Sequence, residues 1–197
     1  MADVANRVVP PGINTECAWD ELAQKLRRVT VHIFGDKGNH AAGVVWRNDG
    51  LIVTNAHVVN GTSMIRLQDG QTCPAEIIGM DRRIDLAALR IPIRGLESAR
   101  LRDSRTLRAG EVVLAAGHPL GESGAISLGI IHAASDGHWI TADIRLAPGN
   151  SGGPLADASG RVVGINSMVA NGMGVAVSTA AIEGFLREQV TNREGAA

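Results

Sequence analysis

Gly149-Asn150-Ser151-Gly152-Gly153-Pro154 places one serine among three glycines and a proline. Glycines let the backbone turn sharply and leave space around a neighbouring side chain, so the Ser151 hydroxyl is expected to be accessible. A serine hydroxyl is a weak nucleophile, which reacts only when a base and a group that orients the base lie close to it. Taken alone, the stretch is equally typical of a plain turn, because Gly, Asn, Ser and Pro are the usual turn residues. The rest of the chain decides between the two interpretations.

A candidate base is His57, at the end of the apolar run Leu51–His57. Small residues beside the end of a predicted strand let an imidazole project into a cleft, where it can act as a general base. The other histidines, which are expected to be surface or structural residues, are His32, His40, His118, His132 and His138. We therefore predict that His57 is the base.

The group that orients this base is predicted to be Asp85, which opens the apolar run Asp85–Ile91. Asp81 is the competing carboxylate, but it lies in the polar run Gly79–Arg83, where a solvated turn is favoured. A carboxylate at the head of a buried strand is costly unless it has a partner, and His57 would supply one.

Acyl transfer also needs hydrogen-bond donors for the charge that develops on the carbonyl oxygen. The backbone N–H groups of Gly149 and Ser151 are the predicted donors, because Pro148 has no N–H to offer. The chain order His57, Asp85, Ser151 is that of the chymotrypsin-type catalytic triad. This chemistry requires no cofactor, and no metal site is predicted.

The composition is that of a globular protein: among 197 residues, 45% are apolar and 20% are charged. A net charge of −1 gives no field that would attract nucleic acid or an acidic membrane. The arginine-dense run 100–108 has no interleaved aromatic residues, and it is predicted to be a solvated linker. No apolar run is long enough to span a membrane or to serve as a signal peptide, which predicts a cytoplasmic protein. Cys17 and Cys73 are expected to be free thiols, with a single bridge between them as the open alternative.

The chain is predicted to begin with an extension, residues 1–28, that contains a short helix over Ala18–Arg27. Trp19, Leu22 and Leu26 fall at helical spacing and are expected to dock as one apolar face.

From residue 29 onward, short apolar runs alternate with turn signals, and 24 glycines punctuate the chain. Two sets of about six strands predict an all-β fold of two six-stranded antiparallel barrels. The predicted parts are a first barrel over about 29–94, a linker over about 95–110, a second barrel over about 111–178, a C-terminal helix over about 179–190 and a tail over 191–197. The predicted strands are Val29–Phe34, Ala42–Arg47, Leu51–Thr54, Met64–Gln68, Pro74–Gly79, Leu86–Ile91, Glu111–Ala116, Ala125–Ala133, His138–Asp143, Gly153–Ala156, Arg161–Asn166 and Gly174–Val177.

Several stretches of this chain resemble motifs of the HtrA/Deg-type serine proteases. They are Gly43–Val59 around the histidine, Asp85–Ile91 around the aspartate, and Ala109–Gly121, Pro148–Leu155, Gly164–Asn166 and Gly172–Ser178 in the second half. The resemblance covers about residues 29–190. It implies a trypsin-like double barrel that hydrolyses polypeptides, with His57, Asp85 and Ser151 as triad and the active site between the barrels.

The chain departs from that family in three ways. It ends at Ala197, where many members continue into a PDZ domain, and it shows no export signal. Aromatic residues near the N-terminus commonly build the family's trimers, but the extension offers only Trp19, so a homo-oligomer is compatible with the chain and not indicated by it.

Asn150 directly precedes the predicted nucleophile. Proteases that are activated by N-terminal cleavage resemble one another in having Asp at this position. An amide cannot form the buried ion pair with a new α-amino group, so activation by N-terminal clipping is not expected. Ordering of the loop Gly117–Gly124 is the predicted switch instead.

By similarity to the family, Leu146, Val169 and Ala170 are expected to line the specificity pocket, which would then favour medium aliphatic side chains. Arg145 leaves an alternative open. If it points inward, an acidic residue would be preferred; if outward, it is a surface charge, which the cost of an unpaired buried guanidinium favours.

Two other functions are weighed against an active protease. A latent or non-catalytic chaperone or binding module on a protease fold is the alternative, although such a module has no need of three intact catalytic side chains. An α/β-hydrolase matches Gly149-Asn-Ser151-Gly-Gly153, but its histidine comes last in the chain and its strands alternate with helices.

Overall fold

Twelve short strands close into two six-stranded antiparallel barrels in the computed structural model, which describes residues 15–34, 40–59, 63–118, 124–135 and 137–194. The first barrel contains β1 (Thr30–Phe34), β2 (His40–Arg47), β3 (Leu51–Thr54), β4 (Ser63–Arg66), β5 (Thr72–Asp81) and β6 (Leu86–Arg90). The second contains β7 (Val112–Gly117), β8 (Ala125–Ser135), β9 (Trp139–Ile144), β10 (Pro154–Asp157), β11 (Val162–Ala170) and β12 (Met173–Ser178). Helix α1 (Thr15–Val29) precedes the barrels and α2 (Thr179–Glu194) follows them. The predicted fold of two six-stranded barrels is confirmed.

Both barrels close in the same neighbour order, which is β1-β2-β3-β6-β5-β4 in the first and β7-β8-β9-β12-β11-β10 in the second. In the first, β1 pairs with both β2 and β4, and in the second, β10 pairs with both β11 and β7. The interiors are filled by branched aliphatic side chains, such as Ile52 and Leu89 in the first barrel and Ile140 and Leu155 in the second. Closure leaves no open sheet edge within either barrel, which suits a chain of such short strands.

A third apolar cluster joins the barrels to each other and to α2. It combines Val53 and Leu86 of the first barrel with Ile165 of the second and with Ile182 and Phe185 of α2, all buried. This cluster sets the position of one barrel relative to the other, and therefore of the loops that meet between them.

Helix α1 docks on the second barrel through Leu22 and Leu26, which are buried against Leu114 and Ala156. Trp19 is 44% exposed, so the prediction that it shares this face was wrong. Among the residues of α1 whose side chains are described, the buried apolar contact begins at Leu22, and Trp19 precedes it.

The connection between the barrels is more ordered than a solvated linker. The Arg102 side chain is 14% exposed, and its guanidinium donates to Glu111 at 2.6 Å and to Asp157 at 3.3 Å. Arg105 and Arg108 are exposed, as the prediction requires, but for Arg102 the prediction was wrong. Asp157 is a buried acceptor, and opposite charge explains why one arginine of the run is drawn inward.

Cys73 is a buried free thiol in the core of the first barrel, and burial raises its pKa. The Cys17 side chain, residues 1–14 and residues 195–197 lie outside the described part. Neither α1 nor α2, as far as each is described, is long and apolar enough to cross a membrane.

Leu26→Ala should lower the free energy of unfolding by about 2–5 kcal/mol, because it removes a fully buried side chain and leaves a cavity under α1. Trp19→Ala, on the same helix, should cost less than about 1 kcal/mol. Urea unfolding of both variants checks this, and equal losses would mean that Trp19 also holds the helix in place.

Candidate active site

The three predicted triad residues lie at the seam between the barrels. His57 is in a short 3₁₀ turn, Ala56–Val58, after β3, and Asp85 directly precedes β6. Ser151 comes from the second barrel, in the loop that leads into β10. The structure therefore brings together residues that are 28 and 66 positions apart in sequence: Asp85 − His57 gives 28, and Ser151 − Asp85 gives 66.

Backbone hydrogen bonds tie the serine loop to the first barrel. The Ala42 N–H donates to the Ser151 carbonyl at 2.8 Å, and the Thr54 hydroxyl donates to the Ala42 carbonyl at 2.7 Å. Gly152 has a φ of +82° and lies so close that a Cβ would collide with the Ala42 carbonyl and the Thr54 hydroxyl. Position 152 therefore requires glycine, because its positive φ disfavours other residues and the neighbouring groups leave no room for a Cβ.

The imidazole of His57 is held by the carboxylate of Asp85. His57 Nδ1 lies 2.9 Å from Asp85 Oδ2 and 3.0 Å from Oδ1, and the His57 backbone N–H donates to Oδ1 at 3.0 Å. A carboxylate accepts from Nδ1–H, which makes Nε2 the basic nitrogen of the ring. The Asp85 side chain is 14% exposed, whereas that of His57 is 49% exposed and reachable from the cleft.

Asp85 is fixed by two further residues. The Asn55 amide donates to the Asp85 carbonyl at 3.0 Å, and the Ser167 hydroxyl donates to Oδ2 at 2.5 Å. The backbone of Asp85 has a φ of +56°, a left-handed conformation that Asp tolerates better than most residues. Burial raises the pKa of Asp85, but the hydrogen bonds from His57 and Ser167 outweigh it and leave the pKa below its ordinary value. The carboxylate is therefore ionised at neutral pH.

The nucleophile itself is half-buried. Ser151 Oγ donates to the backbone carbonyl of Ser167 at 3.1 Å. Attack by Ser151 would require that this hydrogen pass to His57 instead.

The predicted oxyanion donors are organised by a β-turn over residues 147–150, here called the oxyanion turn. The Asn150 N–H donates to the Ala147 carbonyl at 3.0 Å, Pro148 is the second residue and Gly149 the third, with a φ of +102°. These are the features of a type II turn, in which the third residue needs positive φ. Within the described ranges, no backbone carbonyl accepts from the N–H of Gly149 or Ser151. The His118 N–H holds the turn from outside by donating to the Gly149 carbonyl at 3.0 Å.

Asn150 is buried beneath the turn, 4% exposed, and Gly117 packs against it. Among the described residues its Oδ1 has no hydrogen-bond partner. An aspartate here would bury an uncompensated charge, so an amide suits the site as described. Activation without N-terminal clipping remains a prediction. Of the predicted switch loop, residues 119–123 lie outside the described part.

A cavity of about 300 Å³ opens beside Ser151. Leu146 and Val169 both line it, as expected from the resemblance, whereas Arg145 and Ala170 are exposed and do not. The other residues around the cavity are Ala147, Pro148, Asn150, Ser151, Asn166, Ser167 and Met168. Its walls are mainly apolar, and none of the described residues that line it is charged.

Comparison with known proteins agrees with this geometry. Residues 41–165 match the family model of the trypsin-like peptidase domain. The chain belongs to the HtrA-type trypsin-like serine proteases. It is 37% identical over 172 residues to the mitochondrial serine protease HTRA2 of Drosophila pseudoobscura pseudoobscura, covering 79% of this chain and 40% of that protein. The corresponding protein of Drosophila virilis is 38% identical over 176 residues, with 81% and 42% covered.

Solved structures of HtrA-type proteases have the same fold. The serine endoprotease from Yersinia pestis superposes with a TM-score of 0.81 at 28% identity, covering 88% of this chain and 66% of that one. The HtrA-type protease AlgW with tripeptide gives 0.79 at 28% identity, with 86% and 62% covered. The chain spans about 40% of the length of the curated relatives that it matches.

Two residues that hold Asp85, a member of the predicted triad, have no signal of their own in the sequence. Ser167 lies in β11, 82 residues beyond Asp85, and Asn55 is an unremarkable polar residue before His57. Only the folded structure shows that Ser167 donates to the Asp85 carboxylate and that Asn55 donates to the Asp85 backbone carbonyl.

Ser167→Ala should destabilise the folded protein by about 1.5–3 kcal/mol at pH 7, since it removes a hydrogen bond to a charged group. The bond stabilises ionised Asp85 and so depresses the pKa of its carboxyl in the folded state. Its contribution is therefore complete above the ordinary Asp pKa of 3.8 and is lost as the pH falls through the lower folded value. Urea unfolding of wild type and variant from pH 7 to pH 3 measures the difference.

Ser178→Ala is the matched control for this comparison. Ser178 is also buried, but its hydroxyl bonds to the Gly137 carbonyl and the Ala181 N–H, which do not titrate. Its cost should stay constant with pH. A constant cost for Ser167→Ala as well would contradict the assigned role of Ser167.

Proposed function

We propose that this chain is a serine endopeptidase that hydrolyses peptide bonds in exposed or unfolded polypeptide segments through an acyl-enzyme intermediate. The observation that carries the proposal is the ionised Asp85 carboxylate bound to His57 Nδ1, in the same seam as Ser151 and its oxyanion turn. Nucleophile, base, orienting group and oxyanion donors are the parts that acyl transfer requires.

The first half of the reaction forms the acyl-enzyme. His57 Nε2 takes the hydroxyl proton of Ser151 as Oγ bonds to the substrate carbonyl carbon. The negative charge passes to the carbonyl oxygen, where the N–H groups of Gly149 and Ser151 stabilise it. The C–N bond then breaks, and His57 returns its proton to the departing amine.

In the second half, water takes the place of the serine. His57 removes a proton from the water, the hydroxyl bonds to the acyl carbon, and the second tetrahedral intermediate expels Ser151 Oγ. The proton on His57 passes back to Ser151, and a free carboxyl terminus is released. Throughout, Asp85 stays ionised and stabilises the imidazolium that forms.

The cavity beside Ser151 supports a preference for medium aliphatic residues on the acyl side of the cleaved bond. Leu146, Met168 and Val169 supply apolar walls, and the volume of about 300 Å³ accommodates a branched aliphatic side chain. Arg145 is exposed and outside these walls, so the structure offers no partner for an acidic side chain there.

A fluorophosphonate probe should label the wild-type protein covalently and leave Ser151→Ala unlabelled, because phosphonylation needs the activated hydroxyl. Asp85→Asn should label far more slowly, by a factor of about 10⁴, since the amide no longer holds the imidazole in the productive tautomer. Gel fluorescence after timed exposure gives the rates. A folded wild-type protein that is never labelled would favour the alternative, a latent or non-catalytic binding module.

Cleavage of a peptide library should be strongest after Val, Leu and Ile. Arg145→Gln should leave that profile unchanged, because Arg145 lies outside the cavity. Val169→Asp, at the cavity wall, should reduce cleavage after aliphatic residues by tenfold or more, on the order of the 1–3 kcal/mol that such a pocket provides. Mass spectrometry of the products reads out the preference. Strong cleavage after Glu or Asp that vanishes in Arg145→Gln would reverse this assignment.

A further inference from the structure

A second cavity, of about 230 Å³, lies away from the triad, between α1, the first barrel and the segment that follows β7. Four basic side chains line it: Arg27 of α1, His32 of β1, Arg66 of β4 and His118 after β7. These four residues are called the cationic pocket below. The proposed protease mechanism uses none of their side chains.

Within the described ranges, no carboxylate pairs with the two guanidinium groups of the cationic pocket. Among the described residues, neither Arg27 nor Arg66 forms an ion pair, and no acidic side chain lines the cavity. Arg27 is held by a hydrogen bond from Nε to the Gly124 carbonyl at 2.8 Å, and Arg66 lies 5.0 Å from the centre of the Phe34 ring. The nearby Asp69 carboxylate accepts from the Gln71 N–H and lines a different cavity.

His118 supplies the second observation that points to a ligand. Its side chain lines the cavity, the residue is only 7% exposed, and within the described part of the chain neither ring nitrogen has a hydrogen-bond partner. Burial lowers its pKa to about 4, the backbone of Val31 opposes this, and the charges of Arg66 and His40 lower the pKa further. A buried ring with two unpaired nitrogens is costly unless a ligand bonds to it.

His32 packs between two other rings. Its Nε2 is 2.8 Å from His40 Nδ1, and its ring centre is 4.9 Å from that of His118. No three His, Cys, Asp or Glu side chains in the described ranges are arranged to hold a metal ion, so this stack is not a metal centre. What the cavity offers is N–H donors and positive charge.

We infer that the cationic pocket binds a phosphate group, either as free phosphate or as the phosphate of a phosphorylated polypeptide. Donors from α1, β4 and the segment after β7 approach from separate elements, which matches the several oxygens of a tetrahedral anion. Two unpaired guanidinium groups match the charge of about −2 that phosphate carries at neutral pH. A carboxylate, with one charge and two oxygens, would leave part of this donor set unused.

The pocket is joined to the candidate active site through a single residue. His118 is one of the residues that line the cavity, and its backbone N–H holds the Gly149 carbonyl in the oxyanion turn. A phosphate that fixes the ring would also fix that N–H. Occupancy of the pocket should therefore stabilise the productive turn and accelerate acylation of Ser151, a consequence that rests on the proposed function.

Binding is tested on the Ser151→Ala protein, which needs no catalytic activity. Inorganic phosphate, titrated at constant ionic strength with NaCl, should shift the ¹H–¹⁵N signals of His118 and Gly124 in a saturable manner. Arg66→Gln should weaken this binding about tenfold or more, the loss expected for a charge-assisted hydrogen bond. Arg94→Gln removes the same charge from an exposed site outside the pocket and should leave the affinity unchanged.

The source of the phosphate is distinguished by a second titration. A phosphoserine peptide that binds at least about tenfold tighter than inorganic phosphate identifies a phosphorylated polypeptide, and equal or weaker binding identifies free phosphate. Non-saturable shifts, or equal losses of affinity in Arg66→Gln and Arg94→Gln, would overturn the site. Tighter binding of acetate than of phosphate would overturn the choice of ligand.

The link to catalysis has its own readout. Phosphate should raise the rate of fluorophosphonate labelling of the wild-type protein at least about threefold, and this response should be absent in Arg66→Gln. Saturable binding with no change in rate would overturn the link and leave the site intact. A wild-type protein that binds phosphate but is never labelled would contradict the proposed function and not the site.

Discussion

The contact between the two barrel backbones at Ser151 is the constraint on which the rest of the candidate active site depends. The carbonyl of the nucleophile accepts from Ala42 of the first barrel, whose own carbonyl accepts from Thr54. Gly152 admits this approach because any Cβ would collide with the same groups. These bonds hold the Ser151 backbone at the seam on which His57 and Asp85 also lie, so the arrangement of the three predicted triad residues depends on how the barrels pack.

The same seam explains how a carboxylate can be buried and remain charged. Burial alone would favour the neutral form of Asp85, but hydrogen bonds from both barrels outweigh it, with His57 on one side and Ser167 on the other. The donor from the second barrel matters because it ties the charge state of Asp85 to barrel packing. The apolar cluster around Ile165 and Phe185 holds the barrels together and excludes water close by.

A feature could be predicted from the sequence when its signal lies within one short stretch of the chain. Strands reveal themselves by short apolar runs between turns, and all twelve were predicted, with bounds that differ by a few residues at most. His57, Asp85 and Ser151 each sit in a distinctive local setting, and the structure brings them to one seam. Ser167 and the inward turn of Arg102 depend on partners far along the chain, which no local pattern encodes. For Trp19 the local pattern predicted a contact that the structure lacks. Helical spacing identifies which residues share a face, but it does not show how far along the helix that face is in contact.

The oxyanion turn is the part of the site that the barrels fix least directly. Its donors are positioned by the positive φ of Gly149 and by one bond from the His118 backbone. Gly117 lies so close to Asn150 that a Cβ at position 117 would be 2.7 Å from the Asn150 Cα. The end of β7 is therefore in tight contact with the turn. A displacement of the His118 backbone would change its bond to the turn, and a misplacement of about 1 Å in such a site can cost about a hundredfold in rate. The seam holds the three predicted triad residues, so His118 is the point at which the proposed chemistry is most open to control.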